Sequence, residues 1–171
     1  MERPLRQFVL MQSAYLWAQR STCSRLHVGC VMEREGRILV QGYNGAPAGL
    51  DHCDHACDCG GMSRWGRTGT PTTSHDRDCN TTKPCLRAVH AEQNAIAFAA
   101  RHGVELEGAS AWITNQPCMS CAQSMINAGI KEVFYFEPYR LQDGVHLLEE
   151  AGIKVSNMQL IHPEWVDRMI R

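Results

Sequence analysis

The chain has 171 residues, 44% of them apolar, which predicts one domain around one continuous core rather than two unusually small ones. Lys and Arg total 17 against 18 Asp and Glu, a formal net charge of −1, which argues against a binder of polymeric nucleic acid but allows one small phosphorylated ligand. No apolar run approaches the roughly 18–20 residues that cross a bilayer, and the opening MERPLRQFVLMQSAYLWAQRS reads as neither signal peptide nor anchor, so no membrane partner and a reducing, cytoplasmic setting are expected.

Apolar residues at Phe8, Val9, Met11, Tyr15, Leu16 and Trp17 recur at helical spacing and predict a helix over 6–21 with one buried face. Two β-type runs follow, 27–33 and 37–43, joined by the hairpin signal Arg34-Glu35-Gly36. From about 44 to 86 the chain is rich in Gly, Asp, Cys, His and Thr and has no periodicity; a loop this long in a compact domain needs a function or a staple. An Ala-rich helix is predicted over 88–102 with Gly103 as its stop, then a short strand over 110–114. Pro117 marks the start of a helical turn that continues over 119–128 to Gly129. A strand at 133–136, a helix at 145–151 stopped by Gly152, a strand at 154–156 and a helical turn within 163–171 complete the pattern. Helices alternating with strands after a hairpin predict an α/β domain over 1–171, with a mixed sheet covered on both faces.

Nine cysteines, at 23, 30, 53, 57, 59, 79, 85, 118 and 121, stand out in a chain expected to be kept reduced, where clustered Cys and His read as metal ligands or catalytic groups. Two segments carry most of this signal: His90-Ala91-Glu92 and Pro117-Cys118-Met119-Ser120-Cys121. Together they form the H-x-E…P-C-x-x-C signature of zinc nucleobase deaminases. The chemistry agrees. A C-x-x-C pair on a first helical turn can present both sulfurs to one side, and the free N–H groups there favour thiolates. His90 supplies a third ligand, and three protein ligands leave the fourth position of a Zn²⁺ tetrahedron for water, the mark of a catalytic site. Glu92, two residues on, is placed near the ion without ligating it and suits a proton shuttle. The competing reading is a structural zinc knot with Glu92 a solvated helix residue, but such a knot normally uses four protein ligands.

Cys23, Cys53, Cys57, Cys59, Cys79 and Cys85, with His52, His55 and His75, form a second group. Four of them could close a structural zinc site that pins the long loop. The best set is Cys23, Cys53, Cys85 and one of Cys57 or Cys59, because Cys57-Asp58-Cys59 cannot readily present both sulfurs. The alternative is several free thiols in an ordinary loop. Cys30, inside an apolar strand, reads as a buried small residue.

With these residues in place, the chain resembles the deoxycytidylate (dCMP) deaminase family, especially its late-competence deaminase-like branch. The resemblance is carried by Arg20-Ser21-Thr22-Cys23, Arg25-Leu26, Val28-Gly29, Gly42-Tyr43-Asn44-Gly45 with Pro47 and Gly49, and Cys85 before His90-Ala91-Glu92. It continues through Asn94-Ala95-Ile96, Pro117-Cys118 to Cys121, and Ala128-Gly129-Ile130-Lys131, spanning about 12–155. It implies a three-layer α/β/α cytidine-deaminase-like sandwich and zinc-dependent hydrolysis of dCMP to dUMP and ammonia. It implies His90, Cys118 and Cys121 as zinc ligands, Glu92 as proton shuttle, and the Ala91 N–H as the group holding O2 of the base. It implies Asn44 on the sugar and phosphate side and Val28 as an apolar wall beside the base; a turn residue and plain core packing are the plainer roles. The resemblance further implies a homo-oligomer, commonly a hexamer, activated by dCTP and inhibited by dTTP, with Mg²⁺ accompanying a triphosphate effector. Tyr43, Gly45, Phe98 and Arg101 would belong to that regulatory interface, unless Phe98 is core and Arg101 a helix-end cation. Cys23, Cys53 and Cys85 match cysteines of a structural metal site in part of the family.

Three departures stand out. Asn115-Gln116 precedes Pro117 where many relatives carry an apolar or aromatic residue, Cys30 replaces the usual Ala, and the segment 60–83 is longer and more polar. They leave the deamination chemistry intact and bear on substrate details: plain or 5-substituted cytosine, one phosphate or three. A tRNA or single-strand deaminase would need a basic stripe with exposed aromatics, which this composition lacks. A riboflavin-pathway enzyme usually carries a fused reductase domain, and a zinc-stabilised nucleotide-binding protein would not need Glu92.

Overall fold

The computed structural model describes residues 3–23, 26–50, 52, 88–139 and 141–169. Helix α1 (Arg6–Ala18) ends at Ala18 rather than at Ser21. Its buried face is Leu10, Met11, Ala14, Tyr15 and Ala18, while Val9 and Leu16 are exposed. The stripe runs through two alanines, which a reading weighted to large side chains overlooks. Strands β1 (Gly29–Arg34) and β2 (Arg37–Tyr43) form the expected hairpin. Its turn residues Glu35 (φ 55°) and Gly36 (φ 81°) are both left-handed, which suits the right-handed twist of the strands.

Helix α2 (Ala91–His102) starts at Ala91 rather than Ala88, with His90 as its extended N-cap, and stops at Gly103 in the left-handed conformation (φ 66°). Then follow β3 (Ser110–Asn115), α3 (Met119–Asn127), β4 (Glu132–Glu137), α4 (Asp143–Glu150) and β5 (Lys154–Asn157). A short α5 (Met158–Ile161), not expected from the sequence, is capped by Asn157, whose Oδ1 accepts from the N–H groups of Gln159 and Leu160. The terminal helical turn is a 3-10 turn at Pro163–Trp165.

The sheet has the order β2-β1-β3-β4-β5. β1 is antiparallel to both β2 and β3, whereas β3, β4 and β5 run parallel. Alternate residues feed separate cores on the two faces. Cys30, Met32, Ala111, Ile113 and Val133 pack with Ala95, Ala99, Cys121, Met125 and Leu148, beneath α2, α3 and α4. Val31, Trp112 and Phe136 pack with Leu10, Met11, Tyr15 and Trp165, beneath α1 and the C-terminal turns. The arrangement is the predicted three-layer α/β/α sandwich with a mixed sheet. Among the described residues, no helix is long and apolar enough to cross a membrane.

Candidate active site

The first turns of α2 and α3 meet over the sheet. His90 is the N-cap of α2, Cys118 is the N-cap of α3, and Cys121 lies in the first turn of α3. His90 Nδ1 is 3.3 Å from the Cys121 sulfur and 3.4 Å from the Cys118 sulfur, and all three donor atoms lie within 4.8 Å of one another. A tetrahedral zinc with bonds of about 2.0–2.3 Å separates its N and S donors by about 3.5 Å, so this donor set fits the ion closely. Among the described residues it is the one cluster of His, Cys, Asp or Glu able to hold a metal. Three protein donors would leave one tetrahedral position of a bound zinc for solvent or substrate.

Local contacts place these donors. Val89 and Gly45 exchange main-chain hydrogen bonds, the Asn94 amide donates to the Tyr43 carbonyl at 2.8 Å, and Gly42 lets the Ala91 carbonyl approach the sheet where a Cβ would collide with it. Gly144 does the same for α3: a Cβ there would strike the Pro117 carbonyl oxygen and come within 2.8 Å of the Cys118 carbonyl carbon.

Glu92 is 4% exposed and stands in the first turn of α2 beside the cluster. Burial raises its pKa above the usual carboxylate value; its own backbone N–H, the His90 ring and a hydrogen bond with Cys121 act the other way. The two cysteines split in acidity. Cys118 is held down to about 3, chiefly because its sulfur accepts a hydrogen bond from the Cys121 thiol, with His90 and Ser120 contributing. Cys121 is pushed up because it donates that bond and is buried. Without a metal the pair therefore shares one proton, whose place a metal ion held by these residues would take. Behind them Cys30 is fully buried, as its sequence setting predicts, and its thiol is pushed up by burial first and by Glu92 second.

Residues 6–137 match the family described as the cytidine and deoxycytidylate deaminase zinc-binding region. The chain belongs to that family. It is 36% identical to ComE operon protein 2 of Bacillus subtilis over 162 residues, covering 94% of this chain and 75% of the relative. It is also 36% identical to the deoxycytidylate deaminase of Enterobacteria phage T4 over 169 residues, covering 87% and 88%. The crystal structure of dCMP deaminase from cyanophage S-TIM5 in complex with dCMP and dUMP superposes with a TM-score of 0.70 at 29% identity, covering 92% of this chain and all of that one. The sandwich is thus the cytidine-deaminase-like fold.

The other residues expected at a family site are placed as follows. Ala91 is buried as the first helical residue after His90, where backbone N–H groups lack intrahelical partners. Asn44 is buried, and its amide is largely committed within the chain: Oδ1 accepts from the Ser21 hydroxyl (2.6 Å) and the Val28 N–H (2.8 Å), and Nδ2 donates to the Leu26 carbonyl (2.7 Å). It ties Ser21, Leu26 and Val28 together and keeps one amide hydrogen to spare. Val28 is half-buried against the core beneath α2. Tyr43 stacks on Trp17 with ring planes 4° apart, and Gly45 pairs with Val89. Phe98 is 48% exposed and packs on His102 (4.2 Å), so the core role does not hold for it; Arg101 beside it is exposed. Cys23 is buried and its N–H donates to Ser21 Oγ, while Cys53, Cys57, Cys59, Cys79 and Cys85 lie outside the described residues.

Proposed function

We propose that this chain is a zinc-dependent hydrolase that converts dCMP to dUMP and ammonia. The observation that carries the reading is the pairing of a three-ligand His90-Cys118-Cys121 cluster with a buried carboxyl, Glu92, that is not one of the ligands. The names of the T4 and S-TIM5 relatives support the choice of dCMP.

When bound, zinc lowers the pKa of a coordinated water towards about 7 and so provides hydroxide at neutral pH. The chain's own residues do the rest. Glu92, buried and with its pKa raised, accepts a proton and holds it. It passes that proton to N3 of the cytosine, which makes C4 electrophilic, and a later proton to the departing amine. In the balance, a C4–O bond forms, the C4–N bond breaks, and water plus dCMP become dUMP plus ammonia. The Ala91 N–H orients the base through O2, Val28 lies beside the ring, and Asn44 directs its remaining amide hydrogen to the sugar and phosphate side.

The test is ammonia release from a panel of dCMP, 5-methyl-dCMP, dCTP and CMP by zinc-loaded protein. Turnover greatest on dCMP is expected; a zinc-replete protein that leaves all four unchanged overturns the reading.

The same reading extends to regulation and assembly. A second, structural zinc is assigned to Cys23, Cys53, Cys85 and one of Cys57 or Cys59, supported by the burial of Cys23 and tested by metal content per chain. Tyr43, Gly45, Phe98 and Arg101 are assigned to a subunit interface of a cytoplasmic homo-hexamer that responds to dCTP with Mg²⁺ and to dTTP. The exposed Phe98 ring supports this, and sizing plus activity with each effector tests it.

A further inference from the structure

The polar residue before Pro117 has a structure of its own. Gln116 is 6% exposed, yet its side-chain amide is saturated. Nε2 donates to the Leu141 carbonyl at 2.7 Å and to Gln142 Oε1 at 3.3 Å. Oε1 accepts from the Tyr139 backbone N–H at 3.1 Å and from Gln142 Nε2 at 3.4 Å. Its backbone N–H donates to the Glu137 carbonyl at 2.9 Å, one step beyond the last β3–β4 pair, Asn115 with Glu137. The side chain thus continues the ladder after the main chain of β3 has turned away towards Cys118. Gln142, which also donates to the Tyr139 carbonyl at 3.1 Å, is the N-cap of α4, and two residues later Gly144 rests against Pro117 and Cys118. One amide therefore ties Tyr139, Leu141 and Gln142 to the turn that carries a proposed metal ligand. The parallel strands β3 and β4 both end here, and in open α/β sheets ligands enter at such carboxyl ends.

We propose that Gln116 is a positioning residue that sets Tyr139, Leu141 and Gln142 as one wall of the substrate opening, without touching the metal or the reacting atoms. An apolar residue of similar size fills the same volume but makes neither the bond to the Tyr139 N–H nor the bond to the Leu141 carbonyl that Gln116 makes. The wall then loosens, while α3 still presents its ligands, because the Ala122 N–H to Cys118 carbonyl bond (2.9 Å) belongs to α3 itself.

The kinetic part rests on the deaminase reading, and the exchange part does not. In Gln116→Met, KM for dCMP is expected to rise about tenfold or more, with kcat changed by less than about threefold and zinc content unchanged. In the same variant the Tyr139 backbone amide exchanges with solvent at least about tenfold faster, read residue by residue by NMR. Unchanged KM, or an equal fall of kcat with unchanged KM, overturns the proposal. Should Gln116→Met fail to fold, the native protein decides: the two bonded Gln116 side-chain amide protons exchange slowly, and free-solvent exchange there removes the clamp. If native protein does not deaminate dCMP, the reaction assignment fails, and the exchange rates still judge the clamp.

Discussion

Gly45 and Val89 exchange both of their backbone hydrogen bonds, at 3.1 and 2.9 Å, so the end of the β1–β2 hairpin is fastened to the residue just before His90. Three residues back along β2, Gly42 receives the Ala91 carbonyl at a distance no side chain tolerates, with the Ala95 nitrogen 2.8 Å from any added Cβ. The start of α2 is therefore placed by the hairpin, and His90 and Glu92 with it.

Gly42→Ala consequently pushes the first turn of α2 off the sheet. Overpacking of this kind costs about 1–3 kcal/mol. Thermal unfolding should show the loss, and zinc retention against a chelator should weaken in parallel. A variant with native Tm and native zinc retention contradicts the role given to Gly42.

Glu92→Gln keeps the size of the side chain and leaves the three ligand atoms alone. Zinc content should stay native while turnover falls by about 10²–10⁴, the usual contribution of a positioned acid–base group. Rapid deamination by the zinc-replete variant removes Glu92 from the mechanism.

Zinc affinity should depend on pH through the cysteine pair. Cys118 has its pKa lowered to about 3, so it is already a thiolate at neutral pH, whereas Cys121 has its pKa raised and keeps its proton. Binding displaces that proton. Affinity therefore rises with pH, by about tenfold per unit for one proton released, and falls on acidification. Competition titrations between pH 6 and 8 check the slope, and a flat profile contradicts the assignment. Cys121→Ala removes the ligand and should abolish loading at any pH in this range.

Asn44→Ala deletes the acceptor for Ser21 and Val28 and the donor to Leu26. Leaving these part-buried groups unpaired should cost about 1–3 kcal/mol, visible in denaturant unfolding. A KM effect with no loss of stability would place Asn44 with the nucleotide alone.

The His90, Cys118 and Cys121 donor group and the alternation of helix and strand were legible in the chain because their signals are local. A C-x-x-C step, an H-x-E step and a Gly stop act over one or two turns, and period-2 and period-3.6 burial need no knowledge of partners. Element ends moved where a tertiary demand prevailed. Helix α2 starts at Ala91, not Ala88, because Val89 is paired with Gly45. The buried face of α1 includes Ala14 and Ala18, whose small side chains carry little hydrophobic signal.

What the linear order determined was therefore the donor set, the mixed sheet and the place of Glu92 two residues from a candidate donor. What only the folded chain decided was which atoms meet. The closing of His90 onto two sulfurs, the commitment of Asn44 to its own loop, the exposure of Phe98 and the fourfold use of the Gln116 amide all join distant segments. Spacing along a sequence specifies a partner only within a few residues. Beyond that, distances follow from how the layers pack.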